Sequence, residues 1–147
     1  MNLLLDTVTF LWILEDADAL GPAVRAALQD PDNVVFLSAA SVWEIAIKHR
    51  LGKLPLPRPP ETLIPQQRKL RGIESLGISE EATLRLQQLP DLHKDPFDRI
   101  LACQAIEHAM TIVTPDALIR AYPVRTLSSL VQIGLGCHEN QRPFSLN

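Results

Sequence analysis

The stretch Val34-Val35-Phe36-Leu37-Ser38-Ala39-Ala40-Ser41-Val42-Trp43-Glu44-Ile45-Ala46-Ile47-Lys48-His49-Arg50-Leu51-Gly52 changes its period partway along. Four consecutive apolar residues, 34–37, suit a strand covered on both faces, as in a parallel sheet. Residues 39–51 read as a helix, and Gly52 stands where a helix end favours a left-handed residue. The same alternation extends both ways. Short apolar runs predict strands at 2–5, 73–76, 111–113 and 124–127. Helices are predicted at 7–14, 22–29, 61–70, 80–88, 97–108 and 115–121. Such an order implies βαβ crossovers and an α/β fold, a three-layer α/β/α sandwich on a mostly parallel central sheet of about five strands.

The 147 residues suit one domain, and a core of that size buries about 68–70% of the unfolded surface without help from disulfides or metal. With 46% hydrophobic and 21% charged residues the chain is not disordered. Cys103 and Cys137 have no paired spacing, which excludes a zinc ribbon or disulfide scaffold. Pro55, Pro57, Pro59 and Pro60 make a stiff connection inside the domain, because strands on both sides belong to one sheet. Residues 1–130 are assigned to the domain. Residues 131–147, with Gly134, Gly136 and Pro143 and little periodicity, form a C-terminal extension. The apolar run near the N-terminus contains Asp6 and has no Lys or Arg before Arg25, so it does not read as a leader. No apolar stretch is long enough to cross a bilayer. A cytoplasmic protein with reduced thiols and no membrane association is expected.

The formal charge of −3, taken alone, argues against a nucleic-acid partner. Resolved along the chain, residues 1–47 carry seven acids and one base, and residues 72–147 nine acids and six bases. Residues 48–71 carry one acid and seven bases. Lys48, Arg50, Lys53, Arg68, Lys69 and Arg71 within that stretch are candidates to contact the phosphates of a nucleic acid, unless they only form a solvated face.

Four acids share one address. Asp6 ends the first strand, Glu44 lies early in the 39–51 helix, Asp98 opens the 97–108 helix, and Asp116 follows the 111–113 strand. In an open parallel sheet, ligands bind beyond the carboxyl ends of the strands. Each acid also has a structural explanation. Asp6 can cap the first helix. Ser41 and Glu44 fit a capping box. Asp95-Pro96-Phe97-Asp98 fits an N-cap with proline at the first helical position, and Thr114-Pro115-Asp116 repeats it. Four converging carboxylates would repel one another more than helix dipoles offset, whereas a hard divalent cation would hold them together. All-oxygen ligation suits Mg²⁺ or Mn²⁺, and one or two such ions would support phosphodiester hydrolysis.

These residues, with Leu3-Leu4-Leu5-Asp6-Thr7, Leu51-Gly52-Lys53-Leu54 and His93-Lys94-Asp95-Pro96-Phe97-Asp98-Arg99, resemble the PIN-domain family and its VapC branch of toxins. The resemblance runs in order from Asn2 to about Leu127. It implies a Mg²⁺- or Mn²⁺-dependent endoribonuclease with Asp6, Glu44, Asp98 and Asp116 as catalytic and metal-site residues. By the same resemblance Thr7 and Thr114 support the site. Asp95 caps a helix or helps the metal, and Arg99 orients a carboxylate or a phosphate. A VapB-like antitoxin and a homodimer are the implied protein partners. Relatives often carry histidine where this chain has Val8, and they tend to end soon after the last strand.

Two other functions fit less of the chain. A haloacid-dehalogenase-type phosphatase wants a second aspartate at position 8, and a non-catalytic PIN-like module has no need of four acids. Trp12 and Trp43 lie on apolar helical stripes and are expected in the core. Cys103 is expected there as a small hydrophobe, and His93 is expected to be a loop or helix-entry residue, not a ligand.

Overall fold

The computed structural model describes residues 1–129; the expected extension at 131–147 lies outside them. The strands are β1 (Asn2–Leu5), β2 (Val34–Ser38), β3 (Ile73–Leu76), β4 (Thr111–Thr114) and β5 (Arg125–Ser128). All neighbouring pairs are parallel, in the order β3-β2-β1-β4-β5. The helices are α1 (Thr7–Glu15), α2 (Pro22–Gln29), α3 (Ala39–Arg50), α4 (Pro60–Leu70), α5 (Glu80–Leu84) and α6 (Pro96–His108).

The continuous apolar strands are covered on both faces. Leu3, Leu5, Val35, Leu37 and Val113 pack with Phe10, Leu11 and Trp12 of α1 and Val24 of α2. Leu4 and Ile112 point the other way, onto Leu101 and Ala105 of α6. That is the expected sandwich. Capping follows local chemistry. Asp95 Oδ1 accepts from the Phe97 and Asp98 amides at the start of α6. Gly52, at φ 73°, lets its own N–H reach His49 O (3.0 Å) and the Lys53 N–H reach Lys48 O (2.9 Å), the paired bonds of a Schellman motif.

Four expectations are corrected. The cap of α3 is Ser38, whose Oγ accepts from the Ala40 amide and donates to Gln104 Oε1. Strand and helix abut there, so Ser41 lies inside the helix and makes no capping box. Residues 115–121 do not form an α-helix; a 3₁₀ turn covers only Ile119–Ala121. Asp116 and Leu118 donate their amides to side-chain oxygens of Thr114 and Asp116, which diverts them from a helical ladder. Residues 80–88 divide into α5 and a 3₁₀ turn, Arg85–Gln88. Trp12 and Cys103 are buried as expected, but Trp43 is 60% exposed and meets Phe97 edge-on at 5.1 Å. Trp43, Ile47 and Leu51, four residues apart, form an outward stripe of α3, while Ile45 faces the core.

Candidate active site

The sheet order changes direction at β1. β2 and β3 continue on one side of it, and β4 and β5 lie on the other. Such a switch opens a crevice at the carboxyl ends of the strands. Asp6 follows β1 and Asp116 follows β4 at that place, Glu44 comes from α3, and Asp98 from the first turn of α6. The four acids, with Thr7, Val8 and Pro115, line one narrow cleft whose free space of about 20 Å³ admits one water-sized occupant. All four acids are buried.

Hydrogen bonds fix three of these carboxylates. Asp6 Oδ1 accepts from the Thr9 amide (2.8 Å), and its Oδ2 accepts from Thr114 Oγ1 (2.6 Å). Thr7 Oγ1 donates to Glu44 Oε1 at 2.7 Å, and the Lys48 ammonium, one turn along α3, pairs with Glu44 Oε2. Asp116 Oδ1 accepts from the Leu118 amide. Burial disfavours charge here. It is the main reason Asp6 is pushed up to about 6, against the pull of its bonds from Thr114 and Thr9. Asp98 is pushed up to about 8, mainly by burial and then by the charges of Asp95, Asp6, Glu44 and Asp116. The cleft is therefore short of positive charge.

Thr114 serves two acids at once, since its oxygen also accepts the Asp116 amide (3.0 Å). Thr114→Val keeps the shape and removes the hydroxyl that the Asp6 carboxylate and the Asp116 amide share. Urea unfolding of the variant is expected to show a loss of about 1–3 kcal/mol.

The structure brings Asp6, Glu44, Asp98, Asp116, Thr7 and Thr114 together. It places other candidates elsewhere. Asp95 caps α6 and does not line the cleft. Arg99 donates to Pro90 O, Leu86 O and Tyr122 Oη, and lies 3.5 Å from Asp91, so it braces the loop before α6 and does not line the cleft. Of the residues proposed for an RNA backbone, Lys48 is drawn to Glu44. Arg68 donates to Ile73 O, and Arg71 donates to Gln67 Oε1. Arg50, Lys53 and Lys69 are exposed. His93 is the residue sequence reasoning missed. Its Nε2 lies 3.1 Å from Asp98 Oδ2 and 2.9 Å from Asp116 Oδ2. Its place gave no periodic signal, because it lies in the loop that leads into α6 and on no helix or strand.

Fold and cleft together define an α/β protein built around a buried acid cluster at the carboxyl edge of a parallel sheet. The chain belongs to the PIN domain family, whose sequence model matches residues 3–124. It is 45% identical over 67 residues to Ribonuclease VapC16 of Mycobacterium tuberculosis (strain ATCC 25618 / H37Rv). That match covers 46% of this chain and 47% of the relative, so it spans about half the relative's length. The fold is shared with VapBC2 from Rickettsia felis, solved bound to a DNA fragment from its promoter. There the TM-score is 0.64 at 18% identity, over 87% of this chain and 98% of that one. VapBC-1 from nontypeable Haemophilus influenzae has a TM-score of 0.59 at 18% identity, with the same coverage. No helix among the described residues is long and apolar enough to cross a membrane.

Proposed function

We propose that this chain is a divalent-metal-dependent endoribonuclease and the toxin of a toxin–antitoxin pair. The observation that carries the reading is the convergence of Asp6, Glu44, Asp98 and Asp116 on one buried cleft at the switch point of the sheet. The donor set fits the metal. It offers carboxylate oxygens, its burial and then its neighbouring charges push Asp98 up to about 8, and oxygen-only sites select Mg²⁺ or Mn²⁺ over softer ions. Asp6, Glu44, Asp98 and Asp116 would hold one or two ions. Bound there, the metal would neutralise charge on a phosphoryl oxygen and make water acidic enough to attack.

The protein's own part is positioning. Thr114 and the Thr9 amide set the Asp6 carboxylate, Thr7 sets Glu44, and Asp95 starts the helix that presents Asp98. Lys48 keeps a positive charge at the cleft edge, within reach of an incoming phosphate, while exposed Arg50, Lys53 and Lys69 can gather the backbone. Val8 lines the cleft with an apolar side chain. The second acid of a phosphatase is thus missing, which favours hydrolysis without an aspartyl-phosphate. The names of the relatives support RNA as substrate and a VapB-like antitoxin as partner. The exposed stripe of Trp43, Ile47 and Leu51 supports contact with another protein chain, including a second copy of this one.

The test is cleavage of single-stranded RNA by the purified protein. Cutting is expected with Mg²⁺ or Mn²⁺ and is expected to stop in EDTA. Equal cleavage in EDTA, or none with either ion, would overturn the reading.

A further inference from the structure

His93 is buried behind the cleft, and three of its polar groups are engaged. Its backbone N–H donates to Tyr122 Oη at 2.8 Å, and Arg99 donates to the same oxygen at 3.3 Å. The Asp95 N–H donates to its Nδ1 at 3.1 Å. A ring nitrogen that accepts an amide hydrogen bond carries no proton, so the ring proton sits on Nε2. That N–H donates to Asp116 Oδ2 at 2.9 Å, and Asp98 Oδ2 lies beside the same nitrogen at 3.1 Å.

Distances alone would allow a different role, because one ligand atom from each of His93, Asp98 and Asp116 lies within 4.8 Å of the others. The tautomer decides against it. A ligating Nε2 needs its lone pair, and the proton would have to move to Nδ1. Metal-bound histidines normally turn that second N–H toward an acceptor. Here it would meet another donor, the Asp95 amide.

We propose that His93 is a positioning residue that clamps Asp98 and Asp116 side by side, donating Nε2–H to Asp116 and holding Asp98 Oδ2 against the same nitrogen, without ligating the cation. The proposal rests on the metal-dependent reading above. A neutral donor suits the task. It relieves repulsion between two carboxylates without adding a positive charge that would compete with the metal. Asp95 thereby has two roles, since its side chain caps α6 and its amide sets the tautomer of the clamp.

The test uses the full-length protein and Mn²⁺ alone, titrated into wild type, His93→Gln and His93→Ala. The glutamine amide can take the place of Nε2 and donate to both carboxylates. Its Mn²⁺ affinity is expected within about threefold of wild type, and that of the alanine variant about 10–100-fold weaker. If glutamine weakens binding as much as alanine, His93 is a ligand and the clamp is overturned. No change in either variant overturns it as well. ¹⁵N NMR of the ring gives a second readout. The expected pattern is a protonated Nε2 and an unprotonated Nδ1, both without metal and with Mg²⁺; loss of the Nε2 proton on adding Mg²⁺ overturns the proposal. A wild type that binds no Mn²⁺ defeats the metal reading itself. The ring pattern without metal then judges the clamp separately.

Discussion

Asp98→Asn is expected to abolish the proposed RNA cleavage while making the metal-free protein more stable at pH 8. The two effects have one origin. Asp98 is buried among Asp95, Asp6, Glu44 and Asp116, so its charge is unwelcome until a cation arrives. Asparagine keeps the shape and removes the charge. Losing one carboxylate from the metal site removes about 3 kcal/mol or more of transition-state stabilisation, which is about a hundredfold or more in rate. Single-turnover cleavage in Mn²⁺ measures the first effect, and thermal unfolding in EDTA the second. A variant that cuts RNA as wild type does, or that unfolds at a lower temperature in EDTA at pH 8, would contradict this account of the site.

Metal-free wild type is expected to lose stability as pH rises from about 4 to 8. The sign follows from the raised carboxyls. Their ordinary value is 3.8, and in the fold Asp6 is pushed up to about 6 and Asp98 to about 8. Between those values the folded state keeps protons that the unfolded chain has released, so each step up in pH favours unfolding. The stabilisation is complete below about pH 4 and is lost by about pH 6 for Asp6 and pH 8 for Asp98. Divalent metal should reverse the trend. Mn²⁺ at a hundredfold excess over its Kd adds about 2.7 kcal/mol, or about 8 °C for a domain this size. Binding at pH 7 must displace the Asp98 proton, so Mn²⁺ affinity should rise with pH up to about 8. Thermal unfolding at several pH values, with EDTA or Mn²⁺, checks both halves. A melting temperature in EDTA that climbs from pH 5 to pH 8 would show that burial does not govern these acids.

Much of the fold was legible because its signals are local. Runs such as Leu3-Leu4-Leu5 and Val34–Leu37 read as strands of a buried parallel sheet, and Asp6, Asp95 and Gly52 mark helix ends by chemistry that acts within a few residues. The four acids could be placed near one another for a similar reason. Each follows or begins an element at the carboxyl edge of a parallel sheet, and that edge is where such a fold opens. Ser41 was misread because β2 runs directly into α3 and puts the cap at Ser38, and Trp43 because α3 carries apolar residues on more than one face. Its pattern does not say which stripe meets the sheet, and packing against α1, α4 and α6 turned Trp43 outward. The helix expected at 115–121 was lost to side-chain hydrogen bonds from Thr114 and Asp116 that compete with the backbone ladder.

The basic stretch at 48–71 shows the same division. Local charge counting found it, yet Lys48 turned toward Glu44 at the cleft edge, and Arg68 and Arg71 toward neighbouring polar groups. By itself the sequence determined the parallel α/β sandwich, the caps at Asp6, Asp95 and Gly52 and the identity of the four acids, because those depend on short-range sterics, hydrogen bonding and the period of apolar residues. Only the tertiary structure decided the order of strands, the outward face of α3 and the place of His93 Nε2 between Asp98 and Asp116. Those depend on contacts between residues far apart in the chain, whose geometry is set when the layers pack.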